Sequence, residues 1–243
     1  MGNRITHHSK LISHFLLVSV IALMMMLNGA CFAQTLPINV YLKLSPHNRI
    51  SEQITQFGRK LEQTYGDAIT PYINRYPVHI TLYLTRYDAR NLTKIIARVK
   101  NLAGQQPRFT ITTTGIELNS HLYASLAVKK NPVLQHLSNR IVMSLSQLRD
   151  HKTQLPSWTR GNPEKTASFS RYGSPNTFDC FEPHISLFDG NRADKAMFQK
   201  LTAFIAQYNM QNESVQVTGI GVGIVNREGQ IVKELLSVEL GKN

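Results

Sequence analysis

The chain has 243 residues, 42% hydrophobic, 8% aromatic and 17% charged, the proportions of a folded globular protein rather than a disordered or fibrous one. Two cysteines exclude a disulfide scaffold, and their spacing supports no structural zinc site. A net charge of +12 suits an anionic partner without naming one.

Met1 to His14 contains Arg4 and Lys10 and no acid, and Phe15 to Leu27 is a run of 13 residues, apolar but for Ser19. Small residues then stand at −3 and −1 of a cut after Ala33. A basic segment, a short apolar run and a small-residue site in that order predict a secretory signal peptide over 1–33. A run of this length falls short of the roughly 20 apolar residues that span a bilayer. The expected product is exported, periplasmic or secreted, with no stable membrane insertion after cleavage. Losing residues 1–33 lowers the formal charge to +10 and leaves Cys180 as the single cysteine. Cys180 precedes His184 by four residues, but with no partner in view it reads as a structural thiol.

Residues 38–44 predict a strand, and 50–65 a helix with Ile50, Ile54, Phe57 and Leu61 on one stripe. A β-rich run over 78–85 follows Pro77. Residues 88–103 predict a helix, with Asp88 as N-cap and Gly104 at its end. Residues 108–118 and 121–128 read as a hairpin around Asn119-Ser120, and Asn131-Pro132 opens a third helix as N-cap and N1. Residues 151–177 hold Pro156, Gly161, Pro163, Gly173 and Pro175 with no period, and read as a long functional or disordered loop. A strand at 183–188, a helix at 192–208 and two strands at about 213–225 and 230–240 complete the chain.

The order strand, helix, hairpin occurs from 78 to 128 and again from 183 to 240, each time after a strand and a helix. The strand at 121–128 serves both units. This predicts an α+β, bilobal, duplicated fold: two antiparallel sheets with flanking helices around a central cleft. No linker separates the halves, so 34–243 is expected to be one bilobal domain.

The strand opening each repeat carries the same pattern. His79-Ile80-Thr81-Leu82-Tyr83 and His184-Ile185-Ser186-Leu187-Phe188 lie 105 positions apart. Side chains alternate along a strand, so His79 and Thr81 face one way while Ile80 and Leu82 fix the register on the other. If a pseudo-twofold relates the lobes, the two strands can run side by side and present two imidazoles and two hydroxyls to one cleft. Two imidazoles titrating near 6.5 can act as base and acid in one step, and two hydroxyls can hold an oxyanion. In-line attack on a phosphodiester fits best. No metal or other cofactor is expected, because the motifs supply two imidazoles and no carboxylate where catalytic zinc usually takes three protein ligands.

These paired motifs, their spacing and the bilobal layout resemble the two-histidine (2H) phosphoesterase superfamily, which includes bacterial 2′-5′ RNA ligase-like proteins and cyclic nucleotide phosphodiesterases. The resemblance spans about residues 38–240. It maps the family's motif residues onto His79, Thr81, His184 and Ser186. It implies hydrolysis of a 2′,3′-cyclic phosphate, or a related 2′-linked phosphodiester, of a nucleotide or RNA. The alternative is a nucleotide- or RNA-binding module with the same cleft and no turnover.

Tyr41 and Tyr123, on strands flanking the motif strands, are candidates for stacking a base. Trp158, Arg160, Arg171 and Tyr172 are candidates for a lid over an anionic substrate. Gly219-Ile220-Gly221-Val222-Gly223 lacks the following lysine and helix of a P-loop and reads as a bend or close backbone approach beside the cleft. The protein is expected to be a monomer.

Overall fold

The computed structural model describes residues 34–190 and 195–241. The expected signal peptide, residues 1–33, and the first residues of the helix expected over 192–208 lie outside them. In chain order the elements are β1 (Thr35–Leu44), α1 (Arg49–Tyr65), β2 (Ile69–Pro71), β3 (Ile80–Asp88), α2 (Leu92–Gly104), β4 (Phe109–Leu118), β5 (Ala124–Val128), α3 (Pro132–Leu145), α4 (Pro163–Tyr172), β6 (His184–Gly190), α5 (Lys195–Ile205), β7 (Ser214–Val225) and β8 (Ile231–Glu239).

The helices begin where side chains satisfy their free N–H groups. Asn48 accepts from the Ser51 N–H at α1, Asn131 from Leu134 at α3 and Asn162 from Lys165 at α4, each at 2.9 Å. Asp88 caps a single 3₁₀ turn over 89–91 rather than α2 itself.

The strands form one antiparallel path, β2-β6-β5-β4-β7-β1-β3, with β8 also paired to β7. β4 divides it into halves. Its residues 109–112 pair with β7, and 113–118 pair with β5 after a register break at Thr113/Gly115, where Gly115 has φ 130°. Each repeat sends its third strand into the other lobe. β4 of the first repeat pairs with β5, and β7 of the second pairs with β1. The central ladder has the symmetry of a duplication. Thr110 faces Gln216 and Ile111 faces Val215, and a shift of 105 residues exchanges the two pairs.

α1, α2, α3 and α5 cover the sheets' apolar faces. Ile80, Leu82, Ile185 and Leu187 join the core with Ile54, Phe57, Val99, Leu137, Ile141 and Leu201. Each such burial is worth about 1.5–3 kcal/mol. Residues 151–177, expected to lack structure, contain the ordered helix α4. Ser168 is its buried residue, so no apolar stripe announces it. Pro163 and Gly173, read as breakers, are its first-turn proline and its left-handed C-cap at φ 73°.

Candidate active site

β3 and β6 are not neighbours in the sheet, contrary to the side-by-side expectation. β3 is an edge strand bonded to β1, whereas β6 lies between β5 and β2. They approach across the cleft, with Cα atoms within 8 Å. Ile80 and Leu82 point into the core, so His79 and Thr81 take the opposite face. Ile185 and Leu187 place His184 and Ser186 in the same way.

The two histidines are held alike. His79 Nδ1 lies 2.9 Å from the Pro77 carbonyl oxygen, and His184 Nδ1 lies 2.8 Å from that of Glu182, each two residues upstream. A carbonyl can only accept, so each Nδ1 carries the proton and donates it, leaving Nε2 as the titrating atom. Burial lowers the pKa of His79 from its usual value, the bond to the Pro77 carbonyl opposes this, and the nearby His184 charge adds to the lowering. Burial also lowers that of His184, with Lys165 acting in the same direction and Glu182 and Glu117 opposing it. His79 is only 5% exposed, while His184 is half-buried.

The hydroxyls are held alike too. Thr81 Oγ1 accepts from Asn39 Nδ2 at 2.8 Å. Ser186 Oγ and the Tyr123 hydroxyl lie 2.6 Å apart. Asn39, within β1, and Tyr123, the residue before β5, occupy equivalent positions. Each stands two residues before the residue paired with the motif hydroxyl, Tyr41 with Thr81 and Ser125 with Ser186. Thr81 accepts from Asn39 and so retains its own proton to donate to a ligand oxygen, and Ser186 does the same when the Tyr123 hydroxyl is the donor.

Tyr41 and Tyr123 both meet a histidine edge-on, with centroids 5.5 Å apart for Tyr41–His79 and 6.2 Å for Tyr123–His184. Tyr41 presents no open face, whereas Tyr123 is half-buried. Tyr41 is 1% exposed and donates to Glu234 Oε2 at 2.6 Å, and Glu234 also pairs with Lys43 at 2.9 Å. Both tyrosines therefore support the histidines, and Tyr41 is too buried to stack a base. Tyr41 lies flat because β7 has glycine beneath it. A Cβ on Gly221 would sit 2.2–2.5 Å from the Tyr41 ring and hydroxyl. The glycine run is a close backbone approach beside the cleft.

Asn39, which holds Thr81, is a residue that sequence reasoning missed. Asn39 is fully buried within β1, among apolar residues. Asp189 continues β6, where burial raises its carboxyl pKa and Glu228 adds to the effect. The residues proposed as a lid divide. Tyr172 is committed to packing, because its carbonyl accepts from the Tyr83 hydroxyl at 2.5 Å and its ring meets Phe178 at 4.5 Å. Arg171 lies over the Tyr172 ring, whereas Trp158 is exposed. Cys180 is half-buried and free, and burial raises its thiol pKa, the reverse of an activated nucleophile. Among the described residues, no group of three His, Cys, Asp or Glu side chains could hold a metal ion.

A family model described as the 2′-5′ RNA ligase superfamily matches residues 46–231. Among solved structures the chain is similar to E. coli LigT in apo form, at 18% identity and a TM-score of 0.51, over 86% of this chain and 99% of that one. It is also similar to E. coli LigT complexed with 3′-AMP, at 17% identity and a TM-score of 0.50, over 85% and 99%. Kluyveromyces marxianus Usb1 aligns at 12% identity and a TM-score of 0.45, over 86% and 98%. No curated protein matches the sequence. At these identities the likeness to LigT is one of fold.

Proposed function

Because the chain belongs to the 2′-5′ RNA ligase superfamily, whose members are phosphoesterases acting on RNA or nucleotides, we propose that it hydrolyses a 2′,3′-cyclic phosphate or a related 2′-linked phosphodiester without a metal ion. The observation that carries this reading is the matched pair of imidazoles. Each is locked by a carbonyl at Nδ1, and the two are close enough for the charge of one to lower the pKa of the other.

The reaction then follows from proton accounting. One imidazole, neutral at Nε2, takes a proton from water as the water oxygen bonds to phosphorus. The other, protonated at Nε2, gives its proton to the ribose oxygen as the P–O bond breaks. Thr81 and Ser186 donate their hydroxyl protons to the non-bridging oxygens as charge gathers there. The product is a phosphomonoester. The histidines end with their protonation states exchanged and reset through solvent. LigT has been crystallised with 3′-AMP, a ribonucleotide with a 3′-phosphate, which is consistent with a phosphate site in this fold.

The test is turnover by purified residues 34–243 of 2′,3′-cyclic mononucleotides and 2′-5′-linked dinucleotides in EDTA. Hydrolysis insensitive to chelator is expected. Saturable binding with no turnover would replace the enzyme by the binding module, and activity restored only by added metal would remove the mechanism.

A further inference from the structure

Trp158 is the chain's single tryptophan and is 58% exposed. Leaving a large ring in water gains nothing for folding, yet its backbone is firmly built. It lies in a 3₁₀ turn over 157–159 whose next residue, Thr159, is fully buried and donates through Oγ1 to the Pro156 carbonyl at 2.7 Å. Lys165 Nζ lies 5.5 Å from the ring centroid. That lysine side chain is only 15% exposed, and it donates to Glu182 at 2.5 Å and to Asn176 at 3.1 Å. Glu182 in turn supplies the carbonyl that holds His184. An exposed aromatic ring and a fixed cation therefore adjoin the more open histidine. Residues 149–172 around them carry five Lys or Arg against two acids.

We infer that Trp158 and Lys165 form a nucleotide subsite outside the cleft, on the His184 side, and that the substrate is a single-stranded RNA oligonucleotide rather than a mononucleotide. The nucleotide next to the one bearing the reacting phosphate stacks its base on the open part of Trp158, and Lys165 faces its phosphate. Stacking on an aromatic ring accepts any base and is strong enough to select chain length. This inference rests on the proposed phosphodiesterase reading for its second test and not for its first.

The first test is binding. Trp158 is the sole indole fluorophore, so a folded His184→Ala variant of residues 34–243 titrated with an oligonucleotide of about four nucleotides reports on the ring directly. Saturable quenching is expected, weaker with the matching mononucleotide, and lost when Lys165→Gln removes the cation or high salt screens it. The second test is kinetic. Trp158→Ala should lower kcat/KM for a cyclic-phosphate-ended oligonucleotide by about 5- to 100-fold and leave the cyclic mononucleotide unchanged, with Trp158→Phe between the two. Quenching without turnover of any substrate would keep the subsite and sink the esterase. Turnover with equal Trp158→Ala effects on both substrates, or quenching by anionic lipid vesicles but not by RNA, would overturn the subsite.

Discussion

The Nε2 atoms of His79 and His184 are the interchangeable parts of the proposed mechanism, because both Nδ1 atoms are already bonded to carbonyls. General acid–base assistance is worth about 10²–10⁴-fold, so His79→Ala and His184→Ala should each cost at least that in kcat while the protein stays folded. Both act in one transition state, so the double variant should lose far less than the product of the single losses. Thr81→Val and Ser186→Ala should cost less, since each removes a neutral hydrogen bond. The pH profile follows from the lowered histidine pKa values. A bell-shaped rate centred on the acid side of about 6.5 is expected, its limbs belonging to the pair rather than to either residue. The stability sign follows too. The folded state holds these protons more weakly than the unfolded chain, so stability should fall as pH drops through about 6.5. Urea melts at about pH 7.5 and about pH 5.5 should show the loss, and His79→Gln should reduce it. An alkaline rate optimum or pH-independent melts would contradict this account.

β7 sets the geometry beneath the first histidine. Its partner β1 brings Tyr41 opposite Gly221, and the ring fits because no Cβ stands there. Gly221→Ala forces the ring aside, an overpacking that should cost about 1–3 kcal/mol. In a Tyr41→Ala background the added methyl meets open space, so the two costs should not add, a coupling that denaturant melts of the four proteins measure. If Gly221→Ala proves as stable as the parent, the close approach has no energetic role. Tyr41→Phe is a milder test, since it removes only the bond to Glu234 and keeps the edge contact with His79.

The two lobes exchange their third strands, and this makes the site a property of the undivided chain. A fragment ending at Asp150 lacks β6 and His184, and it also lacks β7, the partner of β1. It should be inactive and poorly folded by circular dichroism, and esterase activity in such a fragment would refute the shared cleft. Export is a separate proposal resting on residues 1–33. The mass of the protein recovered from the extracytoplasmic fraction should begin at Gln34, and a full-length membrane-bound chain would refute it.

Taken alone, the sequence determined the α+β class and the boundaries of most elements, and it singled out the repeat and the four motif side chains as candidates. Those features are local: a period of two sets a strand's faces, Asn-Pro opens a helix, and two copies of His-x-Thr/Ser can be aligned by eye. α4 escaped because its helix is specified by its caps and not by an apolar stripe. Only the tertiary structure decided that β3 and β6 face each other across a cleft, that β4 and β7 change lobes, and that Asn39 and Tyr123 hold the two hydroxyls. Strand pairing across 38 positions (Leu42 with Ile80) to 186 positions (Ile38 with Ile224) leaves no periodic trace along the chain. The direction of a side chain is fixed by register, and register depends on the partner strand.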